Sequence, residues 1–506
     1  RPPFNLQGLH MKHLVLCTAS LLAASTAAFA QDLPQANDAW FKAGQAVIAQ
    51  RLANQPITGK AKNVILFTAD GNGVGTNYAI RLFTGQAKGG LGDDYVQPQE
   101  TFPNVALVKT YSSNGQTPDS APTASAMNTG VKLKNTMVNV DDTVAVGDCA
   151  GRVGHELTTF AEIMAAEGRS VGVISTARLT HATPAGVYAK SVNRNWENDS
   201  EVPAGCDQLD IADQLLQQMK AGVIDLALGG GRSQFLPKDA KDDEGKSGKR
   251  ADGRDLIAEA KAMGAVYSWN DTDFAALPAD GTPILGLYEA SHMKYSYDRT
   301  GEPSLAEMTE LAIKSLGNND KGFYLNIEAG RVDHANHAGN LHRTLTDGVA
   351  FADAIAKAMA MTDPSETLII VTADHEHAIA FNGYCGRGSA ITGLCYEAND
   401  AGVMHTGELA LAADGKPYSV AGYLNGAGSV LIKQADGTFS GARPDVTQEQ
   451  AIDPDYLQQA LIPMRSETHS GEDVMVHARG PWAHLFGGVI EQNVIFHVMN
   501  YAAHAE

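Results

Sequence analysis

The sequence predicts an α/β protein built on one central, mostly parallel sheet flanked by helices, and three observations point there. Four short apolar runs rich in β-branched residues recur along the chain, with helical stretches between them. Each run stops at polar, chemistry-bearing residues. At 506 residues the chain can bury a large core, as one domain with insertions or as two.

Residues 63–68 lead into Asp70-Gly71, and residues 170–175 lead toward His181-Ala182-Thr183. Residues 322–327 stop at Glu328, and residues 367–372 stop at Asp374-His375. Continuous apolar runs of this kind suit strands buried on both faces of a parallel sheet. Residues 155–167, 304–316 and 345–361 carry Ala, Leu and Met at helical spacing and are the predicted covering helices. In an open parallel sheet ligands bind beyond the carboxyl ends of the strands. Acids gathered there need a reason, because a buried carboxylate is costly unless paired or bound to metal.

Two stretches break the rhythm. Residues 238–254 form a charged, Gly-containing loop, and the Gly-rich residues 382–464 read as a small inserted subdomain. The expected catalytic domain is therefore split, 61–381 and 465–506, behind an N-terminal helical arm over 31–60.

Met11-Lys12-His13, an apolar run and Ala28-Phe29-Ala30 form the pattern of a secretory signal over residues 11–30. Residues 1–10 read as upstream or vector sequence, and the apolar run is too short for a membrane anchor. The expectation is an exported protein, periplasmic or extracellular. Beyond the signal four cysteines remain, Cys149, Cys206, Cys385 and Cys395, an even number that suits two disulfides in an oxidising compartment. The residues alone leave three pairings open. Residues 1–30 hold Arg1 and Lys12 and no acid, which leaves 36 basic against 58 acidic residues and a formal charge of −22. Such a surface repels nucleic acid and anionic lipid, so neither is an expected partner.

The acids and imidazoles sort into a multi-metal site. Asp333 and His337 lie four apart, on one face of a helical turn, able to grip one ion. Asp374-His375 offers a second pair, Asp70 and Glu328 terminate two other strands, and His469 lies in a late polar segment. Nitrogen-rich pockets suit Zn²⁺, and the oxygen-only set Asp70, Thr183 and Glu328 suits Mg²⁺. His377, His477, His484, His497 and His504 are assigned to surface or core. Ser120 precedes Pro122 in a small-residue segment, where a helix N-terminus would favour a phosphoryl anion. It reads as a nucleophile or as a helix cap.

These blocks together resemble the alkaline phosphatase family, from about Ala61 to the C-terminus. The segments that carry the resemblance are Ala69-Asp70-Gly71-Asn72-Gly73, Asp119-Ser120-Ala121, Glu328 through His337, Ala373-Asp374-His375 and Glu467 through Glu472. Several blocks in the right order are far more specific than any one of them.

The resemblance implies a phosphomonoesterase with two zinc ions and one magnesium ion, broad in its leaving groups, acting on small-molecule phosphate monoesters through a covalent phosphoserine. One zinc would take Asp333, His337 and His469; the second would take Asp70, Asp374 and His375, with Ser120 exchangeable. Magnesium would take Asp70, Thr183 and Glu328. Arg194 would clamp two phosphate oxygens, held by Asp119. His181 and His334 stand where the best-known bacterial type carries Asp and Lys, and they and the crown-like insertion resemble the animal branch. That branch implies a Ca²⁺ site, for which Glu289 and Glu302 match two acids and a third falls within Asp242-Asp243-Glu244. With the family pattern as guide, Cys149–Cys206 and Cys385–Cys395 are the expected pairs, and a homodimer is the expected assembly.

Three rivals are weaker. A sulfatase needs Cys/Ser-x-Pro-x-Arg, and Ala124 stands where the arginine should be. A related phosphodiesterase would lack an equivalent of Arg194 and the third metal. A phosphate-binding protein would not need a nucleophile beside every metal ligand.

Overall fold

The computed structural model describes residues 33–398 and 402–505; the stretches read as upstream sequence and secretory signal lie outside them. The chain divides after Gln55 into two compact units. In the first, Asp38 caps a helix over Ala39–Ala53, its carboxylate accepting from the N–H groups of Trp40 and Phe41.

The second unit is built on a ten-stranded sheet. In chain order its strands are β1 (Asn63–Ala69), β2 (Asn104–Lys109), β3 (Ser170–Arg178), β4 (Leu226–Gly230) and β5 (Val266–Ser268). They continue with β6 (Ile284–Leu287), β7 (Phe323–Ala329), β8 (Thr367–Ala373), β9 (Val474–Arg479) and β10 (Val489–Glu491). The order across the sheet is β10-β2-β9-β8-β1-β7-β3-β4-β6-β5. Only β9 runs against its neighbours, so the sheet is mostly parallel, as the apolar runs require.

Those four runs become β1, β3, β7 and β8, the contiguous centre of the sheet. Successive residues of β1 enter opposite faces. Val64 and Leu66 join a core with Met127, Phe160 and Met499, while Ile65 and Phe67 join one with Met308, Ile313 and Phe351. Helices over Ser120–Thr129, Phe160–Ala166 and Val494–His504 cover the first face, and helices over Leu305–Leu316 and Leu341–Met361 cover the second. The β1 register is what positions the chemistry: Thr68 lies opposite both Glu328 and Thr372, and Ala69 opposite Ala373. Asp70, Glu328 and Asp374 therefore emerge at one level.

Between β8 and β9 the chain forms a three-stranded sheet of Ile379–Phe381, Ala421–Gly426 and Ala460–Pro463. The cysteines pair as Cys149–Cys206 and Cys385–Cys395, with Cα atoms 5.5 and 4.9 Å apart. Among the described residues no helix is long and apolar enough to cross a membrane.

Candidate active site

Ser120 is the first residue of the Ser120–Thr129 helix, and Asp119, not Ser120, is its cap. One Asp119 oxygen accepts from the Ala121 N–H and from Arg194 Nη1, each at 2.8 Å, and the other accepts from the Thr136 N–H. The capping alternative for Ser120 thus falls away. Its hydroxyl is left free to face the strand ends, 3.4 Å from both Asp70 oxygens and 3.3 Å from His375 Nε2.

Beside it stand two groups of side chains of the types that can hold a metal ion, Asp70 with Asp374 and His375, and Asp333 with His337, His377 and His469. In each group the donor atoms lie within 4.8 Å of one another. Gly71 makes the close approach workable: its φ is +70°, and a Cβ there would come within 2.4 Å of the His377 ring. Its N–H donates to Asp374 Oδ1 at 3.0 Å.

The imidazoles test whether cations belong here. His469 Nδ1 faces the Pro118 carbonyl at 2.9 Å and His337 Nδ1 faces the Glu467 carbonyl, so each must carry its proton on Nδ1 and donate it. Their Nε2 lone pairs are then turned on each other, 3.1 Å apart, and on Asp333 Oδ1, at 3.3 Å from His337 and 3.2 Å from His469. Bare acceptors converging on a carboxylate repel unless a cation lies among them. The residues fit a metal. A similar argument holds for the oxygen set, since Thr183 Oγ1 and Glu328 Oε1 are buried with no partner among the described residues. The other Glu328 oxygen accepts from Ser175 Oγ.

The charges say the same. Burial pushes Asp70, Asp374 and Glu328 above the usual carboxylate range, Glu328 to about 7, and the neighbouring acids add to the rise. Burial also pushes Asp333 up, but the N–H that His377 donates to it helps hold it well below the usual carboxylate range.

His377, assigned from the sequence to surface or core, is a buried histidine whose place beside Asp333 the sequence did not show. It is fully buried and sits in the Asp333 group, with Nε2 at 2.8 Å from Asp333 Oδ1 and Nδ1 against Glu467. Burial opposes its charge, yet the bonds to the two acids prevail and lift its pKa to about 10. As an imidazolium with both nitrogens occupied, it orients Asp333 and has no lone pair for a metal.

On the far side of Ser120, Arg194 Nη2 approaches His181 Nε2 at 3.0 Å. His181 and His334 pack edge to face, their ring centres 5.4 Å apart, and burial keeps both imidazoles neutral, His334 down to about 3. Sequence reasoning missed a third member. The His292 ring lies 4.0 Å from His334 and 5.3 Å from His181, with Arg178 Nη1 at 2.6 Å from its Nε2. Arg178 in turn forks onto Glu197 at 2.7 and 2.6 Å. The signal lay in space, not in spacing, since Arg178 and His292 are 114 residues apart.

Glu289 and Glu302 come together around Lys294, whose Nζ is 2.6 Å from one and 4.0 Å from the other. Asp242 and Glu244 are both engaged by the buried Arg232. The Glu302 oxygen 4.0 Å from Lys294 is buried with no hydrogen-bond partner among the described residues, and burial lifts this acid to about 7.

A cavity of about 770 Å³ opens over Ser120, Arg194, Asp333, His334 and His337, walled also by residues 464–469. Residues 61–505 match the family profile described as alkaline phosphatase. The chain is 39% identical over 483 residues to the rat tissue-nonspecific isozyme of alkaline phosphatase, covering 92% of this chain and 88% of that one. It is 38% identical over 507 residues to the chicken tissue-nonspecific isozyme, with 96% and 92% covered. Among solved structures it is similar to the alkaline phosphatase of the Antarctic bacterium TAB5, with a TM-score of 0.60, 23% identity, and 88% and 99% coverage. For the Thermus thermophilus alkaline phosphatase the TM-score is 0.62 at 22% identity, with 90% and 94% covered.

Proposed function

The chain belongs to the alkaline phosphatase family and hydrolyses phosphate monoesters, and from that premise we propose that it does so through a covalent phosphoserine at Ser120. The observation that carries this reading is the Ser120 hydroxyl, placed between a helix N-terminus, Asp70, His375 and two clusters of ligands that fit cations.

Asp333, His337 and His469 would hold one zinc, Asp70, Asp374 and His375 a second, and Asp70, Thr183 and Glu328 a magnesium ion. Bound there, the three ions would supply positive charge to the nucleophile, the departing oxygen and the phosphoryl oxygens. Calcium would be held by Glu289 and Glu302 only once Lys294 had moved aside.

Ser120 Oγ attacks phosphorus in line while the ester oxygen departs with the bond's electron pair, leaving a phosphoserine and an alcohol. Arg194, fixed by Asp119, offers two N–H groups to the non-bridging oxygens, where a loose transition state spreads its charge. The helix N-terminus under Ser120 adds the positive end of its dipole to the same anion, the Ala121 N–H being taken by Asp119 and Pro122 having none. Water then attacks phosphorus from the opposite side, Ser120 leaves, and inorganic phosphate is released with net retention. Nothing in this sequence requires a particular alcohol, so the leaving group is broadly tolerated. Export to the periplasm or extracellular space, an inserted crown-like subdomain over 382–464 and a homodimer complete the reading.

The test compares hydrolysis of p-nitrophenyl phosphate with that of its bis(p-nitrophenyl) diester at alkaline pH. Native protein, EDTA-stripped protein and Ser120→Ala are measured, before and after zinc and magnesium are restored. Expected are dominant monoesterase activity, its loss on stripping, recovery with both metals, and a fall in kcat of at least ~10³ for Ser120→Ala, the scale of losing a nucleophile. Equal or greater diesterase activity would move the chain to a diesterase reading. An active Ser120→Ala would remove the phosphoserine.

A further inference from the structure

Asp70 leaves β1 into a turn that holds it weakly by itself. Gly71, Asn72 and Gly73 separate it from a helix over Val74–Ala87, and two of those three residues are glycines, free in their backbone angles. The helix itself is firmly seated: Ile80 lies so close to Gly348 of the Leu341–Met361 helix that a Cβ on Gly348 would come within 2.2 Å of it. Its first N–H groups need acceptors, and the N-cap residue, Gly73, has no side chain to offer one.

The acceptor comes from the exit of β8 instead. Glu376, two residues beyond Asp374, is buried and turns its carboxylate onto that helix start. Its Oε2 accepts from the Gly75 N–H at 2.8 Å and the Thr76 N–H at 3.2 Å. Its Oε1 accepts from Thr76 Oγ1 at 2.6 Å and from the His377 N–H at 3.1 Å. The two backbone bonds to the helix are those an aspartate at position 73 would make, and the charge meets the positive end of the helix dipole. Gly73 is a glycine for the same reason, because a Cβ there would stand 2.5 Å from Glu376 Oε2. The segment carrying Glu376 is fixed on its other side as well, since Glu376 and His377 pair with Ser470 and His469. One carboxylate thus joins the stretches of chain that bring Asp70, Asp374 with His375, and His469 to the site.

We infer that Glu376 is a positioning residue: it ties the turn after Asp70 to the exit of β8 and so sets the spacing of Asp70, Asp374 and His375, the three ligands assigned above to the second zinc. The inference rests on that metal assignment and adds to it a residue that binds neither cation nor phosphate. Glu376 acts through the backbone. The Gly71 N–H already bonds Asp374 Oδ1 across the same gap, at 3.0 Å, and Glu376 adds the Gly75, Thr76 and Thr76 Oγ1 contacts to that single bond.

The experiment compares wild type, Glu376→Ala and Glu376→Gln in three measurements. Zinc affinity of the folded, stripped protein is read by competition with a chelating dye. The melting temperature of the same stripped protein is recorded, and kcat and KM on p-nitrophenyl phosphate are measured at saturating zinc and magnesium. Glu376→Ala is expected to weaken zinc binding about tenfold, the scale of losing a partner outside the ligand set, and to lower kcat more than it raises KM. Glu376→Gln should fall between, because its amide oxygen still serves the helix N–H groups while its NH₂ is turned toward the His377 N–H. A lower melting temperature with zinc affinity within about twofold of wild type would reduce Glu376 to a helix cap and overturn the proposal, as would two variants that match wild type throughout. Should Glu376→Ala not fold, Glu376→Gln decides by the same criteria. A wild-type protein that takes up no zinc would instead bring down the metal assignment itself, and this inference with it.

Discussion

At the scale of single residues, His292 shows how a site extends beyond its ligands. Its ring rests 4.0 Å from His334, and its Nε2 takes a bond from Arg178, which is pinned by Glu197. Deleting the ring leaves a gap against His334 and takes the acceptor from Arg178 Nη1. His292→Ala is expected to lower kcat/KM on p-nitrophenyl phosphate about tenfold, the scale of losing a partner that orients a site residue. His292→Gln, which keeps an acceptor for Arg178, should recover part of it. A variant as active as wild type would show that His334 and His181 hold their places unaided. The gathering of acids at the strand ends was legible in the sequence because buried carboxylates must be explained, and strand ends are where an open sheet collects them. His377 and His292 were not. Each is a lone histidine by spacing, and its partners arrive from distant parts of the chain: Glu467 lies 90 residues from His377.

At the scale of elements, strands were easier to read than helix ends. The four central strands start within one residue of expectation, because a run buried on both faces contrasts sharply with the polar chemistry beyond it. The helix expected over 155–167 spans Phe160–Ala166, since Thr159 and Glu162 form a capping box that fixes its start. The one expected over 345–361 begins earlier, at Leu341, where the Asn340 side chain accepts from the Arg343 N–H. Short flanking strands such as β5 and β10 lacked long apolar runs and passed unseen. One contact between elements bears directly on catalysis. The Ser120–Thr129 helix, buried throughout, packs on the Ala182–Tyr188 helix that carries Thr183, with Gly186 against Ala124. A Cβ on Gly186 would stand 2.7 Å from the Ala124 Cβ and 3.2 Å from its backbone carbon. Gly186→Ala should therefore destabilise by about 1–3 kcal/mol, as overpacking does, and shift Thr183 relative to Ser120. Urea unfolding at fixed zinc and magnesium reads the first effect, and the magnesium dependence of kcat reads the second. Unchanged stability would mean that the two helices separate without cost.

At the scale of the whole molecule, the fold concentrates like charges at one end of its sheet and depends on cations to make that tolerable. Asp70, Asp374 and Glu328 are buried together and each is driven toward its protonated form. Take Glu328 in metal-free protein: its pKa rises from an ordinary 4.5 to about 7 in the folded chain. Between those values the folded state holds a proton that the unfolded state has released. The stability tied to that proton is fully present below about pH 4.5 and is lost as pH rises through about 7. Stripped protein should therefore lose melting temperature between pH 5 and pH 8 where metal-loaded protein does not, because bound cations favour the ionised acids. Thermal melts of both forms across that range test it, and Glu328→Gln isolates the cause, since an amide cannot titrate and its stripped form should decline less. Parallel wild-type and Glu328→Gln curves after stripping would show that Glu328 is already ionised without metal. The same reasoning explains why composition alone hid this dependence. A formal charge of −20 spread over 506 residues reads as a solvated acidic surface, whereas the acids that matter energetically are the few that β1, β7 and β8 carry inside to one level.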